Sequence, residues 1–207
     1  MFKKVLAGVL TFGVVALLAA TVEAHLIYLS GRWLTHSSIN CEQVIDKVGN
    51  PDVHKAKSQC KITASLVQVL CKNPKGQLVI GQAATQVTVV DQEEINLDQL
   101  TKEQKEQNQI TLGIIVEDPP ALFNPRFCVG GQGKGNASQW TVIDGEILEF
   151  AGIGELYECL DAECLSLSLS STITSKCTLP APFGVNNPPP AGIEYNCSDP
   201  LITHVGH

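Results

Sequence analysis

Aromatic side chains are scarce: two Trp, three Tyr and six Phe in 207 residues. The core must come mainly from Val, Leu and Ile, which favours sheets with aliphatic interiors. Histidine is also rare, with five copies. A Ser-His-acid triad would have to draw on one of these, and no Gly-x-Ser-x-Gly elbow is present. Basic residues number 14 against 21 acidic ones, a net charge of −7. Such a balance argues against nucleic acid or anionic membrane as partners. No Cys-x-x-Cys pair occurs, so neither a thioredoxin-type redox centre nor a zinc knuckle is suggested. Without Cys-x-x-Cys-His, covalent haem is not expected either.

What is present begins with MFKK and the apolar run VLAGVLTFGVVALLAATVEA. A short basic segment, an apolar stretch and small residues at Val22 and Ala24 predict a secretory signal peptide, residues 1–24, cut after Ala24. The rival is an uncleaved anchor over residues 5–20, since the run approaches the lower length limit of a spanning helix. No later stretch is long and apolar enough to span a bilayer. Loss of Lys3, Lys4 and Glu23 would leave 12 basic against 20 acidic residues, net −8. The expected location is outside the cytoplasm, extracellular or periplasmic.

Eight cysteines follow Ala24: Cys41, Cys60, Cys71, Cys128, Cys159, Cys164, Cys177 and Cys197. An even number in an exported chain predicts disulfides. Proximity favours Cys41–Cys60 and Cys177–Cys197. Cys159 and Cys164 either close a small loop or go to separate partners.

The best-defined stretch is Lys61–Gly81. Ile62–Cys71 reads as a strand, with Ile62, Ala64 and Leu66 on one face and Val67, Val69 and Cys71 on the other. Asn73-Pro74-Lys75-Gly76 suits a type I turn, and Leu78-Val79-Ile80 returns antiparallel. Apolar on both faces, this strand belongs inside a sheet. His25–Trp33 predicts an N-terminal strand, able as an edge to pair with a second copy. Cys41–Val48 shows helical spacing at Cys41, Val44, Ile45 and Val48, with Gly49-Asn50-Pro51 as a stop. Ala83–Asp91 alternates as a half-buried strand. Asp91–Gln109 reads as a solvated excursion with one or two helical turns and a capping box at Thr101–Gln104. Ile110–Val116 is a strand. Trp140–Phe150 predicts a second hairpin about Asp144-Gly145. In Cys164–Ile173 the leucines 165, 167 and 169 face one way and the serines 166, 168 and 170 the other, which predicts one packed and one polar face. Residues 178–207 form a proline-rich tail tied back through Cys197. The sum, over residues 25–177, is a mainly β, disulfide-stapled domain with one or two short helices: an antiparallel β-sandwich, with a small barrel as second choice.

Candidate chemistry is thin. Cleavage after Ala24 would expose His25, whose α-amine and ring nitrogen suit Cu(II) when a second histidine joins them. Secreted copper monooxygenases and some copper-binding β-sandwiches use this arrangement. Its partners would be His36, His54, His204 or His207. Glu146, Glu149, Glu155 and Glu158 are carboxylates of the type a glycosidase needs. Asp91, Glu93, Glu94 and Asp98 lack the Asp-x-Asp-x-Asp-Gly calcium loop. Gly130–Ser138 is glycine-rich, but Lys134 is followed by Gly135, which breaks the Walker pattern. Asn136 and Asn196 head glycosylation triplets. The leading expectation is a non-enzymatic exported domain without a cofactor, structural, self-associating or binding an extracellular protein or polysaccharide. The alternatives are a copper protein and, third, a carboxylate-dependent hydrolase. Activity is expected in the loops around Gly130–Ser138, in Asp91–Gln109, or at the new N-terminus.

Overall fold

A computed structural model describes residues 25–36, 38–117, 122–129, 139–180, 184–186 and 193–205, with only the backbone at 35, 36 and 38. The proposed signal peptide, the Gly130–Ser138 loop, Asn136 and His207 lie outside the described residues. The elements are β1 (Ile27–His36), β2 (Ser38–Asp46), β3 (Lys55–Lys72), β4 (Leu78–Asn96), α1 (Lys102–Gln107), β5 (Gln109–Val116), β6 (Thr141–Cys159), β7 (Leu167–Thr178), β8 (Asn196–Cys197) and β9 (Leu201–His204). All ladders are antiparallel. One sheet runs β1-β2-β5; the other runs β4-β3-β6-β7-β8, with β9 also beside β7. The expected mainly β, antiparallel, disulfide-stapled architecture is what the structure shows. Among the described residues no helix is long and apolar enough to cross a membrane.

β3 is the central strand, and the β3–β4 turn forms where expected. Gly76 N–H donates to Asn73 O at 2.9 Å, and the Asn73 side chain accepts from the N–H groups of Lys75 and Gln77. Gly76 takes φ +83°, a left-handed conformation that glycine adopts without strain. The two apolar runs of β3 do not face opposite ways. Ile62 and Ala64 are buried, and so are Val67, Val69 and Cys71. Between them Ser65 has no partner on β6, where Ala64 pairs Phe150 and Leu66 pairs Glu149. This bulge shifts the parity of the strand, so both runs reach the interior on the same face.

Three other expectations are corrected. Cys41–Val48 is not a helix. Its first six residues belong to β2, paired with β1 and β5 on both sides. Cys41, Gln43 and Ile45 point inward at strand spacing, and a buried glutamine had disguised the alternation. Asp144-Gly145 is not a turn. β6 runs straight through it, and a Cβ on Gly145 would lie 2.2 Å from the Phe123 ring, so this glycine admits an aromatic. The expected packed leucine face and polar serine face of β7 do not separate: Leu167, Ser168 and Leu169 are all half-buried. Leu165 is 84% exposed, whereas Ser170 and Ser171 are both buried, because Ser170 is a bulge opposite the Leu156–Tyr157 step. The excursion forms as expected only after Asn96: a 3₁₀ turn at Leu97–Gln99, then α1 with Thr101 and Gln104 completing the capping box. Asp91–Asn96 instead prolongs β4.

The sheets enclose two apolar clusters. One holds Trp33, Ile62, Val67, Ile114, Phe150 and Tyr195; the other holds Leu26, Ile45, Ala56, Leu112, Leu156 and Ile173. Trp33 fits because Gly152 faces it from the other sheet, where a Cβ would lie 2.4 Å from the indole. Cys41–Cys60 joins β2 to β3 and so staples sheet to sheet. Cys71–Cys128 ties the end of β3 to the 3₁₀ turn Pro125–Val129. Cys159–Cys164 closes the loop after β6, and Cys177–Cys197 holds β8 to β7.

One buried polar knot lies between the sheets. Tyr28 Oη donates to Gln43 Oε1 at 2.9 Å and lies 2.7 Å from Ser58 Oγ, and the Ser58 hydroxyl also reaches Gln43 Oε1. Gln43 Nε2 points at both sulfurs of Cys41–Cys60. Burial pushes the Tyr28 phenol well above its ordinary value of 10.0. The unfolded chain therefore loses this proton near pH 10 while the folded chain keeps it. Stability from this group is complete below pH 10 and falls above it, by about 1.4 kcal/mol per pH unit. Tyr157 is raised as well, by burial and then by nearby Glu155, but it is part-exposed and solvent screening makes its share of the decline the smaller one. Urea titrations of wild type and Tyr28→Phe between neutral and strongly alkaline pH should show the variant with a distinctly shallower alkaline decline. Parallel declines would contradict the assignment.

Candidate functional site

β6 alternates its side chains between the sandwich interior and the outer face, and this fixes what its glutamates can do. Glu158 points inward and is 6% exposed. It accepts from Leu26 N–H at 2.7 Å, lies 3.0 Å from His25 Nδ1, and receives the Ser170 hydroxyl at 3.3 Å. The Ser170 hydroxyl also reaches Leu26 O, and Tyr28 N–H donates to Ser171 Oγ at 3.0 Å. Together these bonds seat the chain at His25–Tyr28 on the β6–β7 pair. The consecutive inward serines exist because of the β7 bulge.

Glu158 does not pair with any of the other three candidate carboxylates. Glu155 lies on the face opposite Glu158. Glu146 and Glu149 sit at the far half of the same strand, roughly 30–40 Å from Glu158 at ~3.3 Å per residue, well outside the ~5–10 Å spacing of glycosidase carboxylates. Asp91, Glu93, Glu94 and Asp98 are strung along β4 and the following turn. Glu94 meets Lys55 Nζ at 3.0 Å, and Asp98 meets His54 Nδ1 at 3.1 Å.

The histidines are equally dispersed. His25 is seated at Glu158 and His54 at Asp98. His204 is exposed at the end of β9, opposite Ser171 on β7. The side chain of His36 and all of His207 lie outside the described residues. Among the described residues no three His, Cys, Asp or Glu side chains are gathered as a metal would require.

Among the described residues, two clefts on the large sheet bear on function. A cleft of about 480 Å³ opens where β3 begins and β4 and β6 end, lined by Asp52, His54, Lys55, Asn96, Asp98 and Asp161, among others. Asp161 is fixed by the N–H groups of Leu165 at 2.8 Å and Ser166 at 2.7 Å, and these bonds hold its carboxyl below the ordinary range. The cleft has a His–Asp pair, but no hydroxyl or free thiol lines it. The pair is open to solvent at both partners, where an ion pair contributes ~0–1 kcal/mol. Its chemistry is that of a polar recess without a nucleophile. A shallower groove of about 310 Å³ crosses β6, β7 and β9 between Ile153, Thr174, Lys176 and Asp199. Asn196 is exposed on β8, next to the Cys177–Cys197 staple.

The sides of the sandwich differ more than its faces. On one side β1 is tied to β7 by the serine bonds above and, further along, by a bridge between Leu34 and Glu194. On the other side β4 ends the large sheet and β5 ends the small one, and neither carries a further strand among the described residues. The expected edge strand at His25–Trp33 is the end strand β1 of the small sheet, and its outer side is bonded to β7 and bridged to Glu194. The signal that sequence reasoning passed over is the absence of charge from Gly76 to Val90, fifteen residues that include most of β4. No family model, no curated protein and no solved structure matches the chain.

Proposed function

We propose that this is an exported structural or assembly domain that engages its partner by strand addition on the open side of the sandwich. The observation that carries the reading is the asymmetry of the two sides. One is sewn shut by side-chain and backbone bonds, whereas the other presents two strand edges that carry no further strand among the described residues. Natural sheets usually blunt such edges with charge, proline or cover. β4 carries neither charge nor proline between Leu78 and Val90. Four disulfides staple the body, and the larger of the two clefts described is lined by no hydroxyl or free thiol.

Sedimentation velocity of the secreted, oxidised protein, from micromolar to millimolar concentration, tests this directly. The expected result is reversible self-association whose extent rises with concentration. A chain that stays monomeric throughout contradicts the assembly reading. Intact mass of the same material should correspond to a chain beginning at His25 with no titratable thiol.

A further inference from the structure

Resting on the assembly reading, the geometry points to a second copy of this chain as the partner, docked antiparallel on the β4 edge about a two-fold axis near Ala84. Three observations select this arrangement.

The first is continuity of the edge. Burial along β4 alternates through the point where Thr85 and Gln86 together face Ser65 of β3: Gln82, Ala84, Gln86, Thr88 and Val90 are exposed, while Ala83, Thr85, Val87 and Val89 are half-buried. A strand that keeps its alternation offers outward backbone donors and acceptors on both sides of that irregularity. An identical antiparallel strand matches these groups.

The second is charge. Two copies of a chain of net charge −7 repel each other over most of their surfaces. Gly76–Val90 is the neutral stretch, so contact there brings no like charges together.

The third observation fixes the direction. The neutral run is flanked by opposite signs, with Lys72 and Lys75 around the hairpin turn and Asp91, Glu93 and Glu94 at the far end. Lys72, Lys75 and Glu93 are exposed. Parallel pairing would set carboxylate on carboxylate and ammonium on ammonium. Antiparallel pairing centred near Ala84 sets Glu93 of one copy beside Lys75 of the other, each nine residues from the axis. The side chains of Thr85, Val87 and Val89 would gain cover, and the large sheets of both copies would become one.

The test uses oxidised full-length secreted protein and sedimentation equilibrium. Ala84→Lys places two ammonium groups face to face at the axis on an exposed position, and the dimer dissociation constant should rise at least tenfold. Lys75→Glu and Glu93→Lys should each weaken the dimer several-fold, and the double variant should return to within about twofold of wild type. Ile115→Lys, on the other free edge, should leave association unchanged. Thermal melts confirm that each variant is folded. Loss of association in Ile115→Lys with wild-type behaviour in Ala84→Lys would overturn the β4 assignment while leaving assembly intact. Failure of the charge-swapped double variant to recover would overturn the antiparallel register. A wild-type chain that never associates removes both readings.

Discussion

Phe150→Ala should lower the unfolding free energy by about 3–5 kcal/mol, among the largest single losses this chain can show. Phe150 is 2% exposed, at the point where β3 and β6 kink together. Its ring meets Trp33 edge-on, with centroids 5.3 Å apart, and Tyr195 edge-on at 4.9 Å. Tyr195 is held from beyond by its hydroxyl, which donates to Ile147 O at 3.0 Å. In a protein with so few aromatics these three rings supply much of the large-area contact in one cluster, and each edge-to-face pair is worth ~0.5–1.5 kcal/mol beyond its buried area. Truncation would leave a void between two rings, Trp33 on β1 and Tyr195 ahead of β8, both held from outside the gap, so little collapse can refill it. Urea denaturation should show a lower midpoint with an unchanged slope. A loss under about 1 kcal/mol would mean that the site relaxes freely and that the triad is not a rigid unit. Phe150→Leu, which keeps most of the volume, should cost well under half as much.

The second large effect concerns Cys71–Cys128. This staple closes the longest span of the four, 57 residues, where Cys159–Cys164 closes 5. In the chain-entropy account the long closure contributes roughly 4 kcal/mol and the short one roughly 2 kcal/mol. Both ends of the long staple are buried, in a small cluster with Val69 and beside Phe123 and Phe127. It fastens the otherwise irregular segment around Phe127 against Gly81, where a Cβ would lie 2.3 Å from Phe127 O. The double variant Cys71→Ala/Cys128→Ala should lose about twice the stability lost by Cys159→Ala/Cys164→Ala. The reverse order, measured by the same denaturation, would show that the segment at Phe127 holds its place without the bridge.

The main features of the fold were legible where one physical signal dominated. The β3–β4 turn was announced by Asn73-Pro74-Lys75-Gly76, and α1 by its capping box. Cys41–Cys60 and Cys177–Cys197 lay close enough in sequence to be paired. The misreadings share a cause: a residue chosen for an interior partner imitates a local signal. Gln43 broke the alternation of β2 because it is buried against Tyr28 and a disulfide. Gly145 imitated a turn because Phe123 lies on it, and Ser170 turned inward because Leu26 needed a donor. The seating of His25 on Glu158 spans 133 residues, and no local pattern encodes it. The open β4 edge was in plain view as a neutral run, but it became a candidate surface only once the sheet order put β4 last.

The central position of β3 also sets an order of events. Its neighbour β4 follows after a five-residue turn, but its other neighbour, β6, begins at Thr141. A chain threading out of a membrane pore N-terminus first presents the β3–β4 hairpin, and β1, β2 and β5, well before Thr141 arrives. For that interval β3 has a free edge of its own, with Ile62, Val67 and Val69 uncovered on that side. Pairings over such sequence distance close slowly, and unpaired apolar strands in waiting are prone to misassociation. Cys41 and Cys60 have both emerged by then, so their bridge can clamp the small sheet over β3 before the strand that completes the large one exists.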